Sequence, residues 1–320
     1  MNTRVMVRTG ARLHFGLLAI DPPHGRQFGG AGLMVDAPGF ELVAVPSDQD
    51  RVTGGSPAIQ QRIRHFLERL RASSPQPRPA LEIAIQAEIP SHCGFGSGTQ
   101  LGLAVATVAT AFGDAMPSVR ERAEFVGRGK RSAIGMYGFQ LGGWLVDGGQ
   151  NSARAISPLI TRLEWPGDWP WVLIAPPERE GLSGVEEQHA FQRLSSMPES
   201  MTAKLCRTLL LDLLPGIVDH DFAAVSESLW DYGKTVGEYF LPVQQGLFAD
   251  VRMARLADQL RRDGFAGIAQ TSWGPTIAVM CSSATDADQL VSHLRGHGPW
   301  SDCRVQHVQA RNRGADVVVE

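Results

Sequence analysis

The segment Ile89-Pro-Ser-His-Cys-Gly-Phe-Gly-Ser-Gly-Thr-Gln-Leu-Gly102 joins two stretches of different period. Ahead of it, Leu81-Glu-Ile-Ala-Ile-Gln-Ala87 alternates in the manner of a half-buried strand. Behind it, Leu101 to Phe112 is almost wholly apolar and of helical length, with good helix formers at Leu101, Leu103, Ala104 and Ala106. The chain therefore runs strand, glycine-rich loop, buried helix. The first N–H groups of a helix have no intrahelical partner, and the dipole leaves partial positive charge there. Gly94, Gly96 and Gly98 allow close backbone approach to a ligand, and Ser97 and Thr99 add hydroxyls, either of which is placed to cap the helix. That is the architecture of a phosphate cradle. No Gly-Lys-Ser/Thr follows, so it is not a Walker loop, and the spacing is wrong for the dinucleotide fingerprint. From these residues alone, a capped loop needing only permissive backbone reads the same.

At 320 residues the chain is long enough for one large domain or two lobes, and 43% hydrophobic content supports substantial cores. A net charge of −3 argues against a general nucleic-acid binder. No apolar run reaches membrane-span length, and the N-terminus lacks a signal-peptide core. Cys93, Cys206, Cys281 and Cys303 are scattered without metal-type spacing, which suits reduced thiols in the cytoplasm.

Upstream of the loop, Val5 to Ile20 reads as one or two strands broken at Gly10, with Arg12 and His14 on one side and Leu13 and Phe15 on the other. A buried arginine and histidine need partners: a ligand phosphate or carboxylate, or an internal ion pair and hydrogen bond. A second glycine-rich segment, His24 to Val35, carries Arg26 and Gln27, suited to polar ligand contact or equally to a solvated loop. Ile59, Ile63, Phe66, Leu67 and Leu70 fall at helical spacing with arginines opposite, a surface helix without assigned chemistry. A Pro-rich link, Ser73 to Pro79, leads to the strand before the loop.

Downstream, a helix is expected from Ser118, its cap, to Arg128. Arg128, Lys130 and Arg131 then form a basic cluster beside a glycine-rich turn, suited to a phosphate by charge-assisted bonds or simply to the helix C-terminus. Trp144 to Asp147 is an apolar strand. The proline- and tryptophan-rich stretch Pro158 to Pro170 marks a lobe boundary, dividing the chain into 1–160 and 161–320. In the second half, Glu186, Glu187 and His189 read chiefly as a solvated helix face. Helices are expected over Leu205–Leu214, Phe222–Gly233, Phe248–Gly264 and Ala284–Arg295. Strands are expected over Trp171–Ala175, Phe265–Ala269, Thr276–Met280 and Arg304–Gln309.

Three segments together resemble the GHMP superfamily of galacto-, homoserine, mevalonate and phosphomevalonate kinases: the N-terminal strand motif, Pro90-Ser-His-Cys-Gly-Phe-Gly-Ser-Gly98, and the late turn Gln270-Thr-Ser-Trp-Gly-Pro-Thr276. The resemblance implies a two-lobed α/β fold, with a left-handed βαβ unit in the first lobe and a ferredoxin-like second lobe. The chain departs from the kinases at Gly135, where they carry the aspartate that acts as base. The pattern Arg12-Leu-His-Phe-Gly-Leu17, Gln27-Phe-Gly-Gly-Ala-Gly-Leu-Met34, Arg128-Gly-Lys-Arg-Ser-Ala-Ile-Gly135 and Thr271-Ser-Trp-Gly-Pro-Thr276 resembles one branch, the β-ribofuranosylaminobenzene 5′-phosphate synthases.

That resemblance implies condensation of 4-aminobenzoate with phosphoribosyl pyrophosphate, releasing CO₂ and pyrophosphate, a step toward tetrahydromethanopterin. It implies catalytic roles for Arg12, His14 and Arg26. Phosphate or pyrophosphate would be held by Gly94, Gly96, Ser97, Gly98, Thr99, Arg128, Lys130, Arg131 and Ser132, and the remaining substrate by Gln27, Thr271, Ser272, Trp273 and Gly274. Ser97 and Glu124 occupy metal-ligating positions, so Mg²⁺ is admitted as a cofactor and no organic cofactor is expected. The partners expected are small-molecule substrates, with no nucleic acid and no membrane; a homodimer is left open. An ATP-dependent small-molecule kinase and a non-catalytic ligand-binding relative are the competing functions.

Overall fold

A computed structural model describes residues 3–73, 78–113, 115–151, 156–177, 181, 184–296 and 298–320. The Pro-rich link and the approach to residue 184 lie partly outside this range.

The first lobe contains β1 (Val5–Arg8), β2 (Ala11–Ala19), β3 (Phe28–Val35), β4 (Glu41–Ser47), β5 (Arg51–Gly54), α1 (Pro57–Ser73), β6 (Ala80–Ala87), α2 (Ser97–Thr110), α3 (Val119–Phe125), α4 (Ile134–Leu141), β7 (Trp144–Asp147) and β8 (Leu159–Leu163). Its strands form two sheets. The four-stranded one runs β2-β3-β7-β8. In the five-stranded one, parallel β5 and β6 are joined through α1, which makes the βαβ unit. That sheet ends on β13 (Asp316–Val319), which pairs with β1. The chain therefore returns to the first lobe at its end.

Between these, the second lobe contributes β9 (Trp171–Ala175), α5 (Gly184–Gln192), α6 (Glu199–Arg207), α7 (Leu214–Val218), α8 (Phe222–Gln244), α9 (Val251–Arg262), β10 (Ile268–Gln270), β11 (Ile277–Met280), α10 (Ala284–Arg295) and β12 (Arg304–Val308). A π-helical turn, Thr208–Leu213, connects α6 to α7. Its sheet is antiparallel in the order β12-β9-β11-β10. Helices separate β9 from β10 and β11 from β12, which is the ferredoxin-like arrangement.

The two lobes share one apolar core. Phe15 of β2 stacks on Trp144 of β7 at 5.3 Å and on Trp171 of β9 at 5.7 Å, and Trp165 lies against both tryptophans. Such contacts add to plain area burial and fix the angle between elements. Trp165, from the proline- and tryptophan-rich stretch, thus packs between Trp144 of β7 and Trp171 of β9.

Several expectations need correction. α2 begins as expected behind the glycine loop, but its N-cap is Gly96, in the left-handed conformation with φ 67° and no side-chain cap bond. Ser97 and Thr99 are already helical, so neither hydroxyl caps. Ser118 does cap α3, with Glu121 completing a capping box, but the helix ends at Phe125 rather than Arg128 because Gly127 turns to φ 66°. The glycine-rich region around 135–141 is helix α4. Most consequential is α8, which continues eleven residues past the expected stop at Gly233.

Candidate active site

The glycine loop is shaped by its contacts as much as by its own residues. Gly94 has φ 82°, and a Cβ there would lie 2.3 Å from the Thr271 carbonyl oxygen, so only glycine fits. Thr271 Oγ1 accepts the His14 amide at 3.0 Å and donates to the Gly94 carbonyl at 2.9 Å. The Ser272 amide donates to the His14 carbonyl at 2.7 Å. The late turn of the second lobe is thereby tied to both β2 and the loop. At the start of α2, the Thr99 and Gln100 amides both turn back to the Gly96 carbonyl, at 3.0 and 3.2 Å.

Beside this junction lies a cavity of about 330 Å³, a size typical of small-ligand sites. One end is cationic. Arg12, Thr99, Arg128, Lys130, Arg131 and Ser132 all line it. The glycines make room for the guanidinium groups. A Cβ on Gly96 would sit 3.1 Å from Arg12 Nε, and one on Gly98 would sit 2.9 Å from Arg62 Nη2 and 3.1 Å from Arg128 Cζ. Burial pushes Arg12 down to about 10 despite the opposing pull of Glu187 and Asp147. Arg128 is also pushed down to about 10, first by burial and then by the charges of Arg62 and Arg69. Like charges gathered in a low-dielectric place are costly, and a ligand with several anionic oxygens relieves that cost. Nε and Nη1 of Arg12 and Nε of Arg128 are buried donors with no hydrogen-bond partner among the described residues.

The other end is aromatic. Phe191 of α5, Phe240 of α8 and Trp273 of the late turn pack edge to face, with centroids 4.8 to 6.2 Å apart. The Trp273 indole donates to Glu187 Oε1 at 2.9 Å. Arg131 pairs with the same carboxylate and lies over the Phe191 ring at 4.5 Å. Gly233, Val236, Gly237, Phe240 and Gln244 line the wall between, all from α8.

Of the residues singled out in the sequence, the fold brings Arg12, His14, Thr99, Arg128, Lys130, Arg131, Ser132, Ser272 and Trp273 to the cavity. Gly94, Gly96, Gly98 and Thr271 support it from behind. Ser97 is buried and does not line it. Gly274, at φ 63°, shapes the turn from outside the wall. Arg26 and Gln27 are not brought in. Arg26 donates to the Gly149 carbonyl at 3.0 Å, and Gln27 pairs with Gln150 through the backbone. Glu124 is exposed on α3, 3.9 Å from Arg120, and does not line the cavity. Among the described residues no three His, Cys, Asp or Glu side chains gather as a metal site.

Sequence reasoning missed the wall residues Phe191 and Phe240 and four charged residues in or around the site. Arg62 and Arg69 sit on the helix face read as solvated, and the clue, arginines on one side of α1, was visible without its target. Glu187 was read as surface. Asp147, fully buried at the end of β7, was read as part of an apolar strand. At Gly135, a Cβ would meet the Thr99 methyl carbon at 3.2 Å, and the Gln100 amide donates to the Gly135 carbonyl at 2.8 Å. Position 135 is thus filled by packing and carries no titratable group.

The fold and its loop resemble those of the GHMP kinase superfamily. Residues 59–142, from α1 through α4, match the GHMP kinases N terminal domain. The homoserine kinase of Cytophaga hutchinsonii superposes with a TM-score of 0.68 at 17% identity, covering 99% of this chain and 98% of that one. Over almost its whole length the chain also resembles the β-ribofuranosylphenol 5′-phosphate synthases. That of Archaeoglobus fulgidus is 28% identical over 98% of this chain and 99% of its own. That of Methanothermobacter thermautotrophicus is 26% identical over 99% and 100%. Both are named for a phenol riboside, where the sequence resemblance suggested the aminobenzene.

Proposed function

We propose that the protein is a decarboxylating C-riboside synthase, joining a 4-substituted benzoate to phosphoribosyl pyrophosphate with release of CO₂ and pyrophosphate. It would act in the cytoplasm on small-molecule substrates, as a step toward tetrahydromethanopterin. The observation that carries this reading, beside the full-length similarity, is the two-ended cavity: guanidinium groups at one end and an aromatic wall at the other.

The chemistry follows from those two ends. Breaking the bond between ribose C1 and pyrophosphate builds negative charge on the leaving oxygen, which cations already in place stabilise. Arg12, Arg128 and Lys130 are the groups for that work, with the first turn of α2 behind them. The aromatic acid lies against Phe191, Phe240 and Trp273, its ring carbon turned toward ribose C1. An electron-rich ring attacks without a protein nucleophile, so the absence of a carboxylate at position 135 costs nothing. What the site supplies is orientation and shielding of an oxocarbenium-like centre. No step is assigned to a protein-held metal.

The test is incubation of the protein with phosphoribosyl pyrophosphate, with and without Mg²⁺, and carboxyl-labelled 4-aminobenzoate or 4-hydroxybenzoate. The expected result is labelled CO₂ that depends on both substrates. Absence of release from folded protein with either acceptor overturns the reading.

A further inference from the structure

A line of hydrogen bonds ends at the cavity wall. The Asp147 carboxylate accepts the Ala133 amide at 2.9 Å, the Gly149 amide at 3.1 Å and Ser132 Oγ at 3.1 Å. Ser132 Oγ also accepts the Ile134 amide at 3.2 Å and lies 3.1 Å from His14 Nε2. A hydroxyl has one proton to give. Asp147 takes it, so His14 must bring its own hydrogen on Nε2. That fixes the neutral tautomer and leaves Nδ1 as a lone pair. Nδ1 makes no hydrogen bond to the described residues, and the ring lines the cavity.

The surroundings keep the ring neutral. Burial first, and the Arg12 charge second, hold the His14 pKa well below its ordinary value. Burial holds the Asp147 carboxyl above its ordinary value, with the donors from Ala133, Gly149, Ser132 and Ser157 opposing it in part. The other charged or titratable groups about the cavity are Arg128, Lys130 and Arg131 before α4, Glu187 on α5 and Tyr232 on α8.

We propose that Asp147 and Ser132 set His14 Nδ1 to accept the para hydroxyl or amino hydrogen of the aromatic substrate as its ring attacks ribose. The proposal rests on the synthase reading. His14 is the catalytic residue; Ser132 and Asp147 are positioning residues. The step balances as follows. The ring carbon bearing the carboxylate bonds to ribose C1, and pyrophosphate leaves with the pair of the broken C1–O bond. The para O–H or N–H proton passes to Nδ1. The ring–carboxylate bond then breaks, CO₂ departs, and its electron pair restores aromaticity. The proton returns from Nδ1 to the para atom. A weak base suffices, because the para proton becomes acidic only as the ring is alkylated.

The test uses CO₂ release from a set of acceptors. 4-Dimethylaminobenzoate is as electron-rich as 4-aminobenzoate but carries no N–H, whereas 4-methylaminobenzoate keeps one at similar bulk. With wild type, the dimethyl compound is expected to react at least about 100-fold more slowly than 4-aminobenzoate, and the monomethyl compound within about tenfold of it. Ser132→Ala is expected to lower kcat about 30-fold and to move the acidic limb of the pH profile, with little change in KM for phosphoribosyl pyrophosphate. Ser132→Thr, which keeps the hydroxyl, is expected to restore most of the loss. Equal turnover of the dimethyl and monomethyl compounds overturns the relay, and that outcome needs no variant to fold. So does Ser132→Ala with wild-type kcat and pH profile. No CO₂ from wild type with any acceptor overturns the synthase reading, and the relay with it.

Discussion

The two ends of the cavity were built by different means. The aromatic end comes from α5, α8 and the late turn, whose rings touch one another and satisfy their polar atoms within the protein. The cationic end holds Arg12 and Arg128, with Arg62 and Arg69 near Arg128 outside the lining, and these guanidinium groups crowd against glycine backbone with donors of Arg12 and Arg128 unmatched among the described residues. One end is a finished packing surface; the other is held together in expectation of anionic oxygens. Arg131 shows that the division is not a matter of sequence neighbourhood. It is three residues from Arg128, yet its charge is already balanced by Glu187 and spread over Phe191.

The contrast breaks if loss of Arg128 is mild. Arg128→Ala is expected to lower kcat/KM for phosphoribosyl pyrophosphate by about 10²–10³, with pyrophosphate inhibition weakened and the acceptor KM little changed. Trp273→Ala should touch the other end, raising the acceptor KM about tenfold by removing a stacked ring while leaving pyrophosphate inhibition intact. If both variants altered the same substrate's KM, the cavity would not be divided as described.

A stability measurement sharpens the same point at His14, between the ends. Its folded pKa is depressed, so below the ordinary histidine value the unfolded chain takes up a proton that the folded one refuses. Stability is then full above about pH 6.5 and falls as pH drops, by up to about 1.4 kcal/mol per pH unit for one proton. Urea titrations from pH 7 to 5 should show a shallower fall for His14→Gln, and an identical slope would remove this account. The smallest effect belongs to the neutralised pair: the double variant Arg131→Ala, Glu187→Gln should lose no more than about threefold in kcat/KM, since the site sheds no net charge.

The glycine loop, the buried helix behind it and most hairpins were legible because periodicity and backbone permissiveness are local properties. α8 was cut short because Gly233 resembles a helix stop. Its missing Cβ instead lets the helix lie against Ala269, 3.3 Å from where a side chain would begin. The shorter helix leaves out Phe240, one of the three aromatic residues of the wall. Arg62 and Arg69 were visible as a polar helix face, but the direction of that face depends on how α1 packs on α2. Asp147 was hidden because a carboxylate ending an apolar strand acquires meaning only from Ser132 and His14, which arrive from elsewhere in the chain. Arg26 and Gln27 erred the other way, since a glycine-rich neighbourhood does not say which loop reaches the ligand.

The pairing of β13 with β1 has a temporal side. The Glu320 carbonyl accepts the Thr3 amide at 2.7 Å, and β1 lies between β4 and β13. While the protein is being synthesised, one edge of β1 has no partner until residues 316–319 have left the ribosome. β1 therefore waits for a strand made only after the second lobe. Throughout that interval the nascent chain carries an open sheet edge of the kind that recruits neighbours and chaperones.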